Sequence, residues 1–419
     1  MKFPVFSKSE TLCALCKGSK LLCGKDRCPI LVKIYSQMKS KPLIDSRFID
    51  GSSPPGVFVG RYGYPKVFVG PLIPPVRGDT SIYDTPELWL GKSIDDITNF
   101  RFQLVRGMHE TNVKKFHGDK MVEKTIEIAL ADNPTFAEAE FNKKPYGKIV
   151  LHSEVQPFGP SAKLVKFDIG NYKYNQKIEK AYYDTDLKAA NAVNLLYKNG
   201  ILISKIQKAF SVGAFGIGKN RRFVPTRWSI TAVDDTVSKN LIQYTKNNPI
   251  INEFRVYEYT HLDNRWLVLM LPREWCYELI EAWYPKTLWN PDGQEVSIYS
   301  SHEFYDGRKY YAEIGGCYYA ARVATNELLN RERKQAGVVI LREAHPGYIM
   351  PVGVWNVRES VRAALKTKPL RFVSLNDSLN YISKKLAIPI KTWISNSEVL
   401  KNTLNQKKIT DFIKIKNYK

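Results

Sequence analysis

Between Ser52 and Val76 the chain reads SSPPGVFVGRYGYPKVFVGPLIPPV, in which six residues are Pro and four are Gly. No helix survives that spacing. Each Pro removes an amide donor and clashes with the preceding turn, and each Gly adds backbone entropy. What remains is two short β-type runs, Val57-Phe58-Val59 and Val67-Phe68-Val69, each followed by Gly. They read as a doubled strand or hairpin with Arg61 and Tyr62 at its turn. Two readings of the turn stand side by side. In one, Arg61 and Lys66 face phosphate while Tyr62 or Tyr64 stacks on a base. In the other, the hairpin is structural and its turn residues are merely exposed.

Net charge favours a charged partner. The chain carries 63 Lys and Arg against 41 Asp and Glu, a balance of +22 over 419 residues. That exceeds what solubility requires and points to a polyanion. A membrane surface is the rival, but 24 Tyr and 8 Trp suit base stacking. The length suffices for two or three domains. No stretch reads as a membrane span, and Met1–Lys20 lacks a secretory core. A cytoplasmic, nucleoid-associated protein without membrane partners is the expectation. Cys13, Cys16, Cys23 and Cys28 have the spacing C-x2-C-x6-C-x4-C. Four thiolates would close a tetrahedral zinc sphere, a structural site, with Gly18 and Gly24 allowing tight turns. An iron–sulfur cluster or disulfides are the chemical alternatives. Cys276 and Cys317 lie in apolar segments and read as core.

Along the rest of the chain, the patterning alternates. Pro29 opens a helix with Ile30, Leu31, Ile34, Tyr35 and Met38 as its stripe. Ser93 caps a helix carrying Ile94, Ile97, Phe100 and Leu104, so Asp95 and Asp96 read as capping acids rather than metal ligands. Helices are expected over Lys120–Ala131 behind Asp119, over Asp184–Lys198, Arg273–Trp283, Cys317–Lys334, Val357–Ala364 and Asp377–Leu386. Strands are expected at Lys148–Val155, Lys163–Asp168, Glu253–Thr260, Arg265–Leu271, Val296–Phe304, Tyr310–Ile314 and Val338–Leu341. A turn-rich stretch, Lys286–Gly293, reads as a link between regions. The class is therefore α+β, a mixed multi-domain protein.

The segment Gly213–Ser238 carries the densest chemistry. Gly213-x4-Gly218-Lys219 nearly spells a phosphate loop, but position 220 is Asn and Pro225 interrupts a following helix. A Gly loop presenting Lys219, Arg221, Arg222 and Arg227 to a phosphate backbone is the better reading. Trp228 either stacks on a base or sits in the core. Asp234 and Asp235 read as a helix cap with Val237, Leu241 and Tyr244 inward, or as ligands for Mg2+ or Mn2+ in a nuclease. Glu343 with His345 is a further pair of acid–base type, or a surface turn.

Near the end, Gln406-Lys407-Lys408-Ile409-Thr410-Asp411-Phe412-Ile413 resembles the peptide by which repair and replication proteins bind the sliding clamp PCNA. In one helical turn Ile409, Phe412 and Ile413 share a face, and Gln406 offers donors and acceptors to a partner's backbone. Such peptides usually end in two aromatics, and here the second position is Ile413. The alternative is a helix docked on its own domain. With six Lys and two acids from Asn396 to Lys419, a mobile tail is expected.

Taken together, GVFVGRYGYPKVFVGPLIPP (56–75), YDTPELWLGKSIDD (83–96), RRFVPTRWSITAVDD (221–235) and GGCYYAARVATNELL (315–329) resemble the archaeal Nre family of DNA-repair proteins, the NreA and NreB type. The resemblance implies repair of damaged DNA with clamp recruitment, and carries over no catalytic residue. It implies a layout of zinc knuckle plus helix (1–40), an N-terminal α+β region (41–290), a C-terminal α+β region (291–395) and a flexible basic tail (396–419). Three function classes follow: a clamp-tethered DNA-binding factor, a metal-dependent nuclease acting on repair intermediates, and a scaffold charged only for solubility.

Overall fold

The computed structural model describes residues 13, 15–115, 117–147, 158–287, 289–291 and 293–405. The hairpin required by the Gly/Pro-rich stretch is present. Strand β2 (Val57–Val59) pairs antiparallel with β3 (Lys66–Ile73), Val59 opposite Val69. With β1 (Phe48–Ser53), β4 (Val105–Asn112), β5 (Thr135–Phe141) and β6 (Ser161–Ile169) it makes a six-stranded sheet in the order β1-β5-β6-β4-β3-β2. Only β4 and β6 run parallel. A Cβ at Gly70 would lie 2.2 Å from the Gly107 carbonyl oxygen, so β3 and β4 approach this closely only because glycine is there.

The second sheet has the order β10-β9-β11-β8-β7-β12. It comprises β7 (Phe254–His261), β8 (Asn264–Leu271), β9 (Cys276–Trp283), β10 (Ser297–Glu303), β11 (Gly337–Ala344) and β12 (Leu370–Phe372). Both of its faces are covered. Trp266, Val268 and Met270 of β8 point into one core, and Leu267, Leu269 and Leu271 into another. The period of two is intact, but all six of these positions are apolar, as in strands covered on both sides.

Twelve α-helices lie among the described residues. They are α1 (Pro29–Ile44), α2 (Ile94–Gln103), α3 (Lys120–Leu130), α4 (Gln176–Tyr183), α5 (Ala189–Lys198), α6 (Ile203–Ser211), α7 (Thr226–Lys246), α8 (Gly316–Glu332), α9 (Trp355–Lys366), α10 (Leu375–Ser383), α11 (Ile390–Ser395) and α12 (Glu398–Asn405). The 21-residue α7 is the spine. Its Val233 and Val237 pack in the core of the first sheet, and its Ile242 in the core of the second. Helix α8 packs along it, α9 packs on α8, and the two cover one face of the second sheet, while α10, α11 and α12 cover the other. Each large side chain buried this way contributes about 1.5–3 kcal/mol.

Several expectations are met. Ser93 and Asp96 form a full capping box on α2, and Asp119 caps α3 by accepting from Met121 and Val122. The β7–β8 hairpin turns at Leu262 and Asp263, both at positive φ. Others are corrected. Residues 276–283 form the buried strand β9 rather than a helix, because both faces are buried, Glu278 and Glu281 included, and no polar–apolar alternation shows in the sequence. Residues 310–314 are turn, not strand. The helix expected from Asp184 begins only at Ala189, since Asp184 Oδ1 accepts from Asp186 and Leu187 in a turn of its own. Pro225 does not end helicity. It sits at the N-cap of α7, where a missing amide costs nothing. Asp234 and Asp235 are therefore in mid-helix, not at a cap.

On α1 the buried face is Pro29, Val32, Lys33 and Ser36, and Tyr35 and Met38 are exposed. The tail expected from Asn396 is folded as far as Asn405. The buried Glu278 carboxylate accepts from the Ser397 hydroxyl and from the Glu398 and Val399 amides at 2.9 and 3.1 Å, capping α12. A boundary at 290 falls between β9 and β10, which are paired neighbours in one sheet, Ser297 opposite Trp283. The strand expected at Lys148–Val155 and the clamp peptide Gln406, Ile409, Phe412 and Ile413 lie outside the described residues. No described helix is long and apolar enough to cross a membrane.

Candidate nucleic-acid interface

Two segments that are 160 residues apart in the chain meet at one surface. A relay of backbone hydrogen bonds joins them: Val113 N–H donates to Pro65 O at 2.9 Å, and Phe223 N–H donates to Val113 O at 2.8 Å. Thr226 Oγ1, in the first turn of α7, accepts from Val59 N–H at 2.9 Å. The turn 60–65 is thereby held against the start of α7, and Tyr64 and Trp228 touch, ring centroids 5.6 Å apart. Trp228 is 48% exposed and Tyr62 80% exposed. Neither belongs to the core, so the reading of Trp228 as a core residue fails.

Around these rings lie exposed cations. Arg61 sits 4.9 Å from the Tyr62 ring centroid and donates to its hydroxyl at 3.1 Å. Lys66, Arg222 and Arg227 are exposed on the same two segments, and Lys219 on the short turn 218–220. The relay through Val113 adds exposed Lys114 and Lys115, which no sequence motif marked. Among the described residues none of these seven cations pairs with an acid. Like charges this dense repel one another, and a polyanion relieves them.

Arg221 is the exception among the predicted contacts. Its Nε donates to Gly216 O at 2.8 Å, and its two terminal nitrogens to Tyr182 O at 2.6 Å and Asp184 O at 2.8 Å. It staples the loop that carries Lys219 and Arg222 instead of reaching outward. Gly213 and Gly216 are buried, and Gly218 N–H is taken by Thr185 O at 3.1 Å, so no open cradle of amides for phosphate forms here.

The sequence profile described as "Archaeal Nre, N-terminal" matches residues 22–290, and "Archaeal Nre, C-terminal" matches residues 303–412. The chain belongs to the archaeal Nre family. DNA repair protein NreB of Archaeoglobus fulgidus is 40% identical to it over 390 residues, 93% of this chain and 97% of the relative. DNA repair protein NreA of the same organism is 38% identical over 383 residues, covering 91% and 95%. DNA repair protein NreA of Haloferax volcanii is 33% identical over 352 residues, covering 81% and 83%. No solved structure matches this Nre chain.

In this Nre protein the two acids considered for metal are engaged elsewhere. Asp234 is 0% exposed, and Arg358 Nη1 donates to both its oxygens, at 3.0 and 3.1 Å. Gln207 Nε2 donates to the same carboxylate at 3.1 Å. Burial pushes the Asp234 carboxyl up to about 6 against the pull of Arg358. Asp235 accepts from Arg322 at 2.6 Å and pairs with Lys239 at 2.8 Å. The network continues through Arg362, which bridges Glu327 at 2.6 Å and Glu359 at 2.8 Å, and ties α7, α8 and α9 together. These carboxylates are braces, and the nuclease reading loses the residues it rested on.

The other sequence candidates also resolve. Asp96 is in its capping box and Asp95 pairs with Arg27. Glu343 accepts from the Ala387 and Ile388 amides, and His345 stacks on Tyr284 at 4.4 Å, so this pair secures a chain crossing. Cys276 and Cys317 have thiols raised by burial, Cys276 to about 11. At the N-terminus, the loop is tight as expected, with Gly18 and Gly24 at positive φ. Cys16 differs from the core cysteines. The amide of Leu22 first, then those of Gly18, Lys20 and Leu21, stabilise its thiolate against burial and lower its pKa. Among the described residues, however, no three Cys, His, Asp or Glu side chains are gathered as a metal site. Cys16 has the chemistry of a thiolate ligand.

Proposed function

We propose that this chain is a DNA-repair protein that grips DNA through the surface around Tyr64 and Trp228. The convergence of the 61–66 turn with residues 222–228 carries the reading. It sets unpaired cations and exposed ring faces side by side, the combination that binds phosphates and bases. The names of the relatives support the repair role. The test is DNA binding titrated across salt. Arg61→Ala, Arg222→Ala and Arg227→Ala together should lower the slope of log K against log salt on duplex by about 0.9 for each phosphate no longer neutralised. An unchanged slope sinks the reading.

Recruitment by the sliding clamp PCNA through Gln406, Ile409, Phe412 and Ile413 completes it. A tether of this kind acts by effective concentration, so even a weak hook keeps the body near DNA. The expected outcome is clamp capture by the intact chain and loss of capture in Phe412→Ala. Equal capture by both removes this part alone.

Cys13, Cys16, Cys23 and Cys28 enter the proposal as ligands of a structural zinc, supported by the amides that favour a thiolate at Cys16. Elemental analysis of purified protein should find about one zinc per chain. Cys16→Ser should lose it. Iron with visible absorption would assign a cluster instead.

A further inference from the structure

The loop between β10 and α8 exposes four aromatic rings, of which Tyr311 also leans on Tyr319 with centroids 5.4 Å apart and Tyr305 lies 4.4 Å from Lys246 Nζ. Tyr310 is 83% exposed and Tyr311 63% exposed, with Phe304 and Tyr305 also at the surface. This loop is tightly held. At its start, buried Glu303 accepts from Trp275 Nε1 at 3.0 Å, Tyr318 Oη at 2.9 Å and Arg322 Nη1 at 2.5 Å. In its middle, Arg308 donates to His302 O at 2.6 Å and to both Glu313 oxygens at 2.8 Å. At its end, Ala312 N–H donates to Tyr319 Oη at 2.9 Å. Rings presented from a fixed loop lose little conformational entropy on contact, which is how rigid aromatic contact surfaces gain affinity.

The loop's charge says what it contacts. Asp306 and Glu313 balance Arg308 and Lys309, so it offers no net attraction for phosphate. It offers ring faces. It also borders the N-terminal half of α7, the helix that carries Arg227 and Trp228. Tyr311 Oη lies 3.7 Å from where a Cβ on Gly315 would stand, and a Cβ on the next residue, Gly316, would stand 3.3 Å from Thr231 Oγ1. Thr231 is on α7 one turn, about 5 Å, beyond Trp228.

We propose that Tyr310 and Tyr311 extend the Tyr64–Trp228 surface into a stacking track for unpaired bases, which makes single-stranded DNA, or the unpaired part of a damaged duplex, the preferred ligand. The inference rests on the DNA-binding reading and goes beyond it. In a duplex the base faces are already stacked on one another, so a row of rings has nothing to bind there. In a single strand each free base face can take a ring.

The test uses the full chain and fluorescence anisotropy at fixed salt, with one labelled oligonucleotide as single strand, as duplex, and as single strand with consecutive abasic positions. The intact protein should bind the single strand more tightly than the duplex or the abasic strand. Tyr310→Ala with Tyr311→Ala should weaken single-strand binding about 10-fold or more and change duplex binding less than about twofold. Both rings are exposed, so a thermal melt should match that of the parent, and Tyr310→Ala alone repeats the test if it does not. Equal affinity for all three ligands, or a Tyr variant that binds single strands like the parent, overturns the inference. If the Arg61, Arg222, Arg227 variant also binds like the parent, the DNA-binding surface itself is misplaced. If that variant loses binding while the Tyr variant does not, only the stacking track is wrong.

Discussion

Replacing Asp234 with alanine strands a buried guanidinium. Arg358 is 1% exposed at its side chain and is held by Asp234 at 3.0 Å, with Glu359 3.2 Å from its Nε. Removing one partner of a buried pair costs about 3–5 kcal/mol, mostly as the uncompensated charge left behind. Glu359 remains, so the lower end, about 3 kcal/mol, is expected. Unfolding entropy of about 2.1 cal/mol/K per residue over 419 residues makes about 0.9 kcal/mol/K. The melting temperature of Asp234→Ala should therefore fall by about 3–4 °C. Calorimetry or a circular-dichroism melt reads this directly. Asp234→Leu combined with Arg358→Met replaces both charges with apolar volume and should recover most of the loss, a non-additivity that marks a true pair. If Asp234→Ala melts with the parent, or the double variant is worse than the sum of the singles, the brace is not what these residues do.

Four further outcomes follow from the same geometry. Burial pushes Lys205 down to about 7, below its free value of about 10.4. Between those values the unfolded chain binds more protons, so stability should climb as pH rises from about 7 toward 10. Lys205→Met should flatten that climb in denaturant titrations between about pH 7 and 9, and an unchanged slope would show that Lys205 is solvated. Thr226→Ala removes the acceptor of the Val59 amide and should cost about 1 kcal/mol, with weaker DNA binding as the 60–65 turn loosens; a loss of stability without loss of binding separates the two roles. Trp228→Ala should weaken DNA binding several-fold at unchanged melting temperature, because the ring is half exposed, and a large stability loss would return Trp228 to the core. A chain stopped after Asn396 leaves the Glu278 carboxylate without three donors and should lose about 2–3 kcal/mol or more against one stopped after Asn405; equal melting of the two would mean that α12 does not brace the second sheet.

Much of this protein was readable residue by residue. The Gly/Pro pattern of 52–76 permits only β2 and β3. Ser93 with Asp96, and Asp119 ahead of α3, are local caps whose chemistry is complete within a few residues. Features of this kind depend on the nearest neighbours in the chain, so the order of residues suffices to determine them.

The remainder needed the three-dimensional arrangement. Strand β9 was hidden because helices cover both faces of its sheet, which erases the alternation that marks a strand. Arg221 and Arg222 are adjacent and chemically identical, yet one is bound to three carbonyls and the other faces solvent. Asp234 and Asp235 resembled metal ligands until the fold set Arg358 and Arg322, more than eighty residues away, beside them. The surface around Tyr64 and Trp228 exists because Val113 and Thr226 tie the hairpin to the start of α7. Burial and partnership decide whether a charge is a brace or a contact, and both are set by segments distant in the chain, so local sequence leaves them undetermined.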